Sequence, residues 1–194
     1  FKTYRKGRPI AIDDITVTPF QVSHSSADSY MLKIKCDGKT ILHTGDFRGH
    51  GYMGEGIYKV VDKYHIAGHV DILITEGTNV DNNGKSMRPE SALKEEFKEV
   101  FRQYKNTFII CSSTDADRLE SIYSANKESA HRPFIVDTYQ KDIIGLIAQQ
   151  AEEGRRLYHF GPNKIYGYSP TNEKMDYMMR RYGFVMLIRR SEKF

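Results

Sequence analysis

The residues able to do chemistry gather in two short stretches. One runs Thr18-Pro19-Phe20-Gln21-Val22-Ser23-His24-Ser25-Ser26-Ala27-Asp28-Ser29; the other is Thr44-Gly45-Asp46-Phe47-Arg48. His24 and Asp46 each follow a β-rich run, and a compact hairpin separates them. That spacing predicts an imidazole and a carboxylate at one end of a sheet. Neutral imidazole and ionised carboxylate both donate to Zn²⁺ or Mn²⁺, so the pair suits a hydrolytic metal site. Two ligands do not complete such a site.

The neighbours of this pair raise or lower its meaning. Ser23, Ser25 and Ser26 are small and polar, which lets the loop approach a ligand closely. Asp28 is spaced to accept a hydrogen bond from the imidazole and orient it. Arg48 suits either neutralisation of Asp46 or contact with a phosphate. Taken singly, His24 reads as a hydrogen-bonded structural histidine and Asp46 as a turn aspartate bonding its own backbone. Glu76 ends the next apolar run, Asp71 to Thr75, at the same predicted edge as Asp46. It reads as an acid/base or as a plain ion-pair partner. Ser112, Ser113 and Thr114 lie where a strand hands over to a helix N-terminus, a position that caps the helix or binds an anion. His43, His50, His65, His69, His131 and His159 lack a tight ligand spacing and read as packing or loop residues.

The elements that must hold these residues follow from patterning. Ile10 to Ile12 and Ile15 to Thr18 are β-rich runs around Asp13-Asp14. Tyr30 to Cys36 alternates, with Leu32, Ile34 and Cys36 on one face and Lys33 and Lys35 on the other, then Asp37-Gly38 turns into Lys39 to His43. Alternation around Asp-Gly is a strong hairpin signal. Ile57, Val60, Val61 and Tyr64 predict a short amphipathic helix. The loop Asp81-Asn82-Asn83-Gly84 marks the main boundary, between residues 1–80 and 81–194. Beyond it helices and strands alternate. A helix opens after Pro89 with a Glu90–Lys94 pair on its surface. Strands follow near Thr107 to Cys111, Pro133 to Val136, Tyr158 to Phe160 and Phe184 to Ile188. The intervening helices are a Thr114/Asp117-capped one, one through Ile143 to Ile147 that stops at Gly154, and one near Thr171 to Tyr182. Such alternation implies right-handed crossovers and a mainly parallel sheet.

Composition narrows the class. The 194 residues are 39% hydrophobic and 12% aromatic, enough to bury a core, and the net charge of +4 is compatible with a polyanionic partner without demanding one. Cys36 and Cys111 read as reduced, buried thiols of a cytoplasmic protein. No apolar run is long enough to cross a membrane and no signal peptide is visible. There is no G-x-S-x-G nucleophile elbow and no G-x-x-x-x-G-K-[ST] phosphate loop. Gly49-His50-Gly51-Tyr52-Met53-Gly54 is formally G-x-G-x-x-G, with Glu76 22 residues beyond Gly54. It therefore stands as the second reading, a dinucleotide-binding module. Against it, Thr44 to Arg48 separate the glycines from their strand, and that strand is half of an antiparallel hairpin rather than the opening strand of a β–α–β unit.

His24-Ser25-Ser26-Ala27-Asp28-Ser29, the Asp-Gly hairpin, Thr44-Gly45-Asp46-Phe47 and Leu73-Ile74-Thr75-Glu76 occur in the order found in the metallo-β-lactamase superfamily. The chain resembles its β-CASP branch, the ribonuclease J-like RNA-processing hydrolases. The resemblance implies an α/β fold: the distal part of a metallo-β-lactamase αββα sandwich in residues 1–80, then a Rossmann-like β-CASP insertion in 81–194. It further implies that His24 binds one metal and that Asp46 bridges two, most simply zinc with manganese as the alternative. Asp46 and Glu76 would be catalytic, and Asp28, Arg48 and Ser113 would support the site or the substrate. The substrate would be RNA ahead of DNA, cleaved at a phosphodiester, with homo-oligomerisation open. The family's His-x-His-x-Asp-His segment would precede Phe1, so the expectation is a fragment that alone binds metal poorly and is inactive. A relative that binds nucleic acid without catalysis is a third reading.

Overall fold

The computed structural model describes residues 4–54, 56–78, 87–152, 158–161 and 164–189. The chain has an α/β fold divided into two compact units, Phe1–Pro89 and Glu90–Phe194. The expected boundary loop Asp81 to Gly84 and the helix stop at Gly154 lie outside the described residues.

The first unit is a five-stranded mixed sheet in the order β1-β2-β3-β4-β5. Its strands are β1 Ile10–Ile12, β2 Ile15–Val22, β3 Ser29–Cys36, β4 Lys39–His43 and β5 Ile72–Ile74, with α1 Gly56–Lys63 before β5. The hairpins turn where expected, because Asp13, Asp37 and Gly38 take φ values of 52°, 50° and 70° that reverse the chain with the right twist. β2 runs further than its sequence suggests, through Pro19 to Val22. Pro19 is tolerated because β1 ends short of it, and its carbonyl accepts from Gly7 N–H at 2.7 Å. α1 packs the core of Phe20, Val22, Met31, Leu42 and Ile66 through Val60, Val61 and Tyr64. The Tyr64 and Phe20 rings lie 4.6 Å apart. The helix thus covers the face that carries Met31 as well as Lys33 and Lys35, and Leu32 and Ile34 point to the other face, half-buried.

The second unit is α2 Glu90–Gln103, β6 Asn106–Ile110, α3 Ala116–Glu128, β7 Phe134–Val136, α4 Thr138–Glu152, β8 Ile165–Gly167, α5 Glu173–Tyr182 and β9 Phe184–Ile188. Its sheet, ordered β6-β9-β7-β8, is parallel throughout. Three sequence expectations change here. Glu90 and Lys94 do not pair with each other: buried Glu90 takes both oxygens to Arg118 Nε, at 2.9 and 3.0 Å, and Lys94 reaches Glu128 at 2.6 Å. Tertiary pairing between α2 and α3 outweighs a surface i,i+4 contact worth a few tenths of a kcal/mol. The cap of α3 is Asp115, accepting from Arg118 N–H at 3.3 Å, whereas Asp117 is buried and accepts from Tyr158 Oη at 2.7 Å. Finally, Tyr158 to Phe160 forms no strand. Side chains of α3 satisfy its backbone instead, Glu120 accepting from His159 N–H at 2.9 Å and Tyr123 Oη from Gly161 N–H at 3.0 Å. The strand position falls to β8.

Candidate functional site

Three loops meet at the end of the mixed sheet where β2 ends and β3 begins. The 44–48 loop leaves β4, and Thr44 N–H donates to Ile74 O at 2.9 Å, tying it to the end of β5. Gly45 then takes φ +57°, and a Cβ there would lie 2.9 Å from Tyr30 O, so only glycine lets the chain turn this closely over β3. Past that turn, Phe47 N–H donates to Glu76 Oε1 at 2.7 Å. Arg48 N–H donates to Ser23 O at 2.7 Å, and Met53 N–H donates to Ser23 Oγ at 3.2 Å.

The backbones flanking His24, Asp46 and Glu76 are therefore cross-linked to one another. Ser25 Oγ lies 3.2 Å from His24 Nδ1, a contact that fixes the ring and leaves Nε2 as the nitrogen for a ligand. Asp46 and Asp28 are solvent-exposed in their loops, and His24, Arg48 and Glu76 are half-buried. The Glu76 carboxyl is held below the usual carboxylate range, first by the Phe47 N–H, then by Thr78, with His24 adding a smaller pull. A carboxylate kept ionised by a backbone donor is better built to fix the Asp46 loop than to shuttle protons. The Phe47–Glu76 bond, spanning 29 residues, and the Ser25 contact had no sequence signal. Ser113 belongs to the second unit. Its hydroxyl is buried beside Ser112 and Thr114, with no hydrogen-bond partner among the described residues.

The glycine loop needs a correction. β4 pairs antiparallel with β3 but parallel with β5, and α1 connects β4 to β5, so β4 does open a β–α–β unit. The loop nevertheless does not form a pyrophosphate cradle. Gly54 is required because its Cα faces the carbonyl of Gly49, so the segment closes on its own backbone. Glu76, which would hold a ribose, already accepts from Phe47.

Metal chemistry can be tested on the donor set. Among the described residues, the group of three ligating side chains within reach of one ion is Asp14, Cys36 and Asp37, whose ligand atoms lie within 4.8 Å of one another. These sit at the turn end of β3, opposite His24. Burial and the Asp37 and Asp14 carboxylates push the Cys36 thiol up in the metal-free chain, and the same carboxylates would attract a cation. His24 and Asp46 belong to no such group, and a catalytic zinc takes three protein ligands. Among the described residues, His24 and Asp46 have no third ligand beside them.

No family model matches the chain. Ribonuclease J of Helicobacter pylori (strain ATCC 700392 / 26695) is 27% identical over 129 residues, which is 64% of this chain and 18% of that protein. Ribonuclease J of strain J99 / ATCC 700824 is 26% identical over 129 residues. The chain thus matches over only 18% of the length of these curated relatives. A solved protein of unknown function from Enterococcus faecalis V583 superposes with a TM-score of 0.66 at 17% identity, covering 98% of this chain and 44% of that one. The α/β fold is shared. No described helix is long and apolar enough to cross a membrane.

Proposed function

We propose that this chain forms part of a metal-dependent phosphodiesterase of the β-CASP type, acting on RNA. One observation carries the reading: the His24, Asp46 and Glu76 loops, remote in sequence, are tied together at one sheet end by the Phe47–Glu76 and Arg48–Ser23 hydrogen bonds. The similarity to ribonuclease J supports RNA as the substrate class. Residues 1–80 are then the metallo-β-lactamase part and 81–194 the β-CASP part. His24 and Asp46 are metal ligands awaiting partners, Ser25 holds the His24 ring, Glu76 positions the Asp46 loop, and Arg48 serves the phosphate. Ser113, whose hydroxyl is buried in a strand-to-helix loop of the second unit, supports that loop rather than touching substrate. The protein works in the cytoplasm.

The test uses the chain and its full-length parent. Calorimetry on the 194-residue chain should show no tight stoichiometric zinc binding. In the parent, Asp46→Asn and His24→Ala should each cut cleavage of a labelled RNA by about 10³-fold or more, the scale of losing a catalytic metal contribution. Retained cleavage in both variants would sink the proposal. Saturable binding of a nicotinamide dinucleotide would instead favour the glycine-loop reading.

A further inference from the structure

A second, separate site lies within the Glu90–Phe194 unit. A cavity of about 540 Å³ opens beside the N-terminal ends of β7 and β8, within the ~300–1,000 Å³ range of ligand pockets. Tyr123 and Phe134 are buried against it, their rings edge to face at 5.5 Å. Tyr166 on β8 and Tyr182, the last residue of α5, line it and remain exposed, at 39% and 59%. Asn126, Lys127, His131, Arg132 and Lys164 complete the polar lining, and among the described residues no carboxylate contributes.

The plain reading of these cations is that they serve helix ends. For Arg132 it is right: its guanidinium bonds the carbonyls of Phe101 and Tyr104 at the end of α2. Lys127 lies in the last turn of α3, where a cation also suits the helix end, whereas Lys164 directly precedes β8 and belongs to no α-helix. The direction of the helices decides how a ligand would lie. α3 and α5 both end here, so their carbonyl ends disfavour an anion deep in the cavity. An aromatic group belongs inside, and negative charge belongs outside, at the tips of the lysine side chains. That is the layout of a stacking platform with an electrostatic rim.

We infer that this cavity binds an unpaired nucleotide of a single-stranded nucleic acid, with the base between Tyr166 and Tyr182 and the flanking phosphates on Lys127 and Lys164. The site involves neither His24 nor Asp46, and its binding needs no metal. Its failure and the failure of the nuclease reading are therefore separable.

Fluorescence anisotropy of a labelled eight-nucleotide RNA with the 194-residue chain, in EDTA, tests it. An equal-length DNA and a poly-glutamate peptide serve as competitors. Tyr182→Leu keeps apolar bulk at an exposed position but removes the ring, and should raise Kd about five-fold or more. Lys127→Glu with Lys164→Glu should weaken binding further and flatten its salt dependence by about one unit per lysine. Lys59→Glu, in the first unit, should do neither. Competition by DNA is expected, since both polymers supply base and phosphate. Absence of RNA binding, Kd unchanged in Tyr182→Leu and Tyr166→Leu, or displacement by poly-glutamate as effective as by RNA would each overturn the inference.

Discussion

Gly45 and Glu76 hold the Asp46 loop from its two sides, one by lacking a side chain and the other by accepting a backbone hydrogen bond. Gly45→Ala forces a left-handed φ of +57° on alanine and puts its Cβ against Tyr30 O, so it should cost at least ~1 kcal/mol of unfolding free energy in urea. Glu76→Ala should cost on the order of 1 kcal/mol, because the bond to Phe47 is charge-assisted yet only half-buried. Its pH behaviour has a definite sign. The folded-state carboxyl is held below its usual value, so its stabilisation is present above the unfolded pKa and is lost as pH falls through the lower folded one. Glu76→Gln should remove that acid-side slope, read from urea midpoints across pH 3 to 7. An unchanged slope would show that Glu76 does not tether the loop. The types and order of these residues were legible in the sequence. Their bonding was not, because Phe47 and Glu76 meet only after α1 and β5 have packed.

At the scale of elements, local chemistry could be read and tertiary chemistry could not. The Asp37-Gly38 hairpin follows from two adjacent residues that accept positive φ, and β9 follows from a five-residue apolar run. By contrast, α3 buries Asp117, Glu120, Ser121, Ser124 and Asn126, which no amphipathic pattern announces. Glu120, together with Tyr123, replaces strand pairing for residues 158–161, and Asp117 takes the Tyr158 hydroxyl. Burial raises the Glu120 carboxyl above its usual range, against the lowering effect of its bonds from Ser124 Oγ and His159 N–H. A raised carboxyl pKa means that the folded state holds its proton longer, so Glu120 makes stability fall as pH rises from the unfolded to the folded value. Glu120→Gln retains an acceptor for His159 and should abolish that fall while leaving the fold intact. Glu120→Ala removes the acceptor of the buried Ser124 hydroxyl and of the part-buried His159 N–H, and should cost about 1–3 kcal/mol in denaturant titrations. Cys111, with its thiol pushed up to about 11 by burial, should react with a disulfide reagent at pH 8 only on unfolding.

Across the whole chain, the strongest unmet demand is the edge of the mixed sheet. β5 pairs only with β4, in parallel, and its other edge has no strand among the described residues. Ile72, Leu73 and Ile74 are 48%, 61% and 47% exposed, so apolar side chains project from both faces of an edge that no described strand covers. A flat apolar edge of this kind is a template for another strand. For the isolated chain the consequence is concentration-dependent self-association. Leu73→Lys places a charge on the exposed edge without touching the core under α1. It should shift sedimentation velocity profiles toward monomer and raise the solubility limit, while circular dichroism stays the same. A Tyr58→Lys control, on an exposed position of α1, should leave association unchanged. Equal association in Leu73→Lys and the unmodified chain would show that the β5 edge is already satisfied.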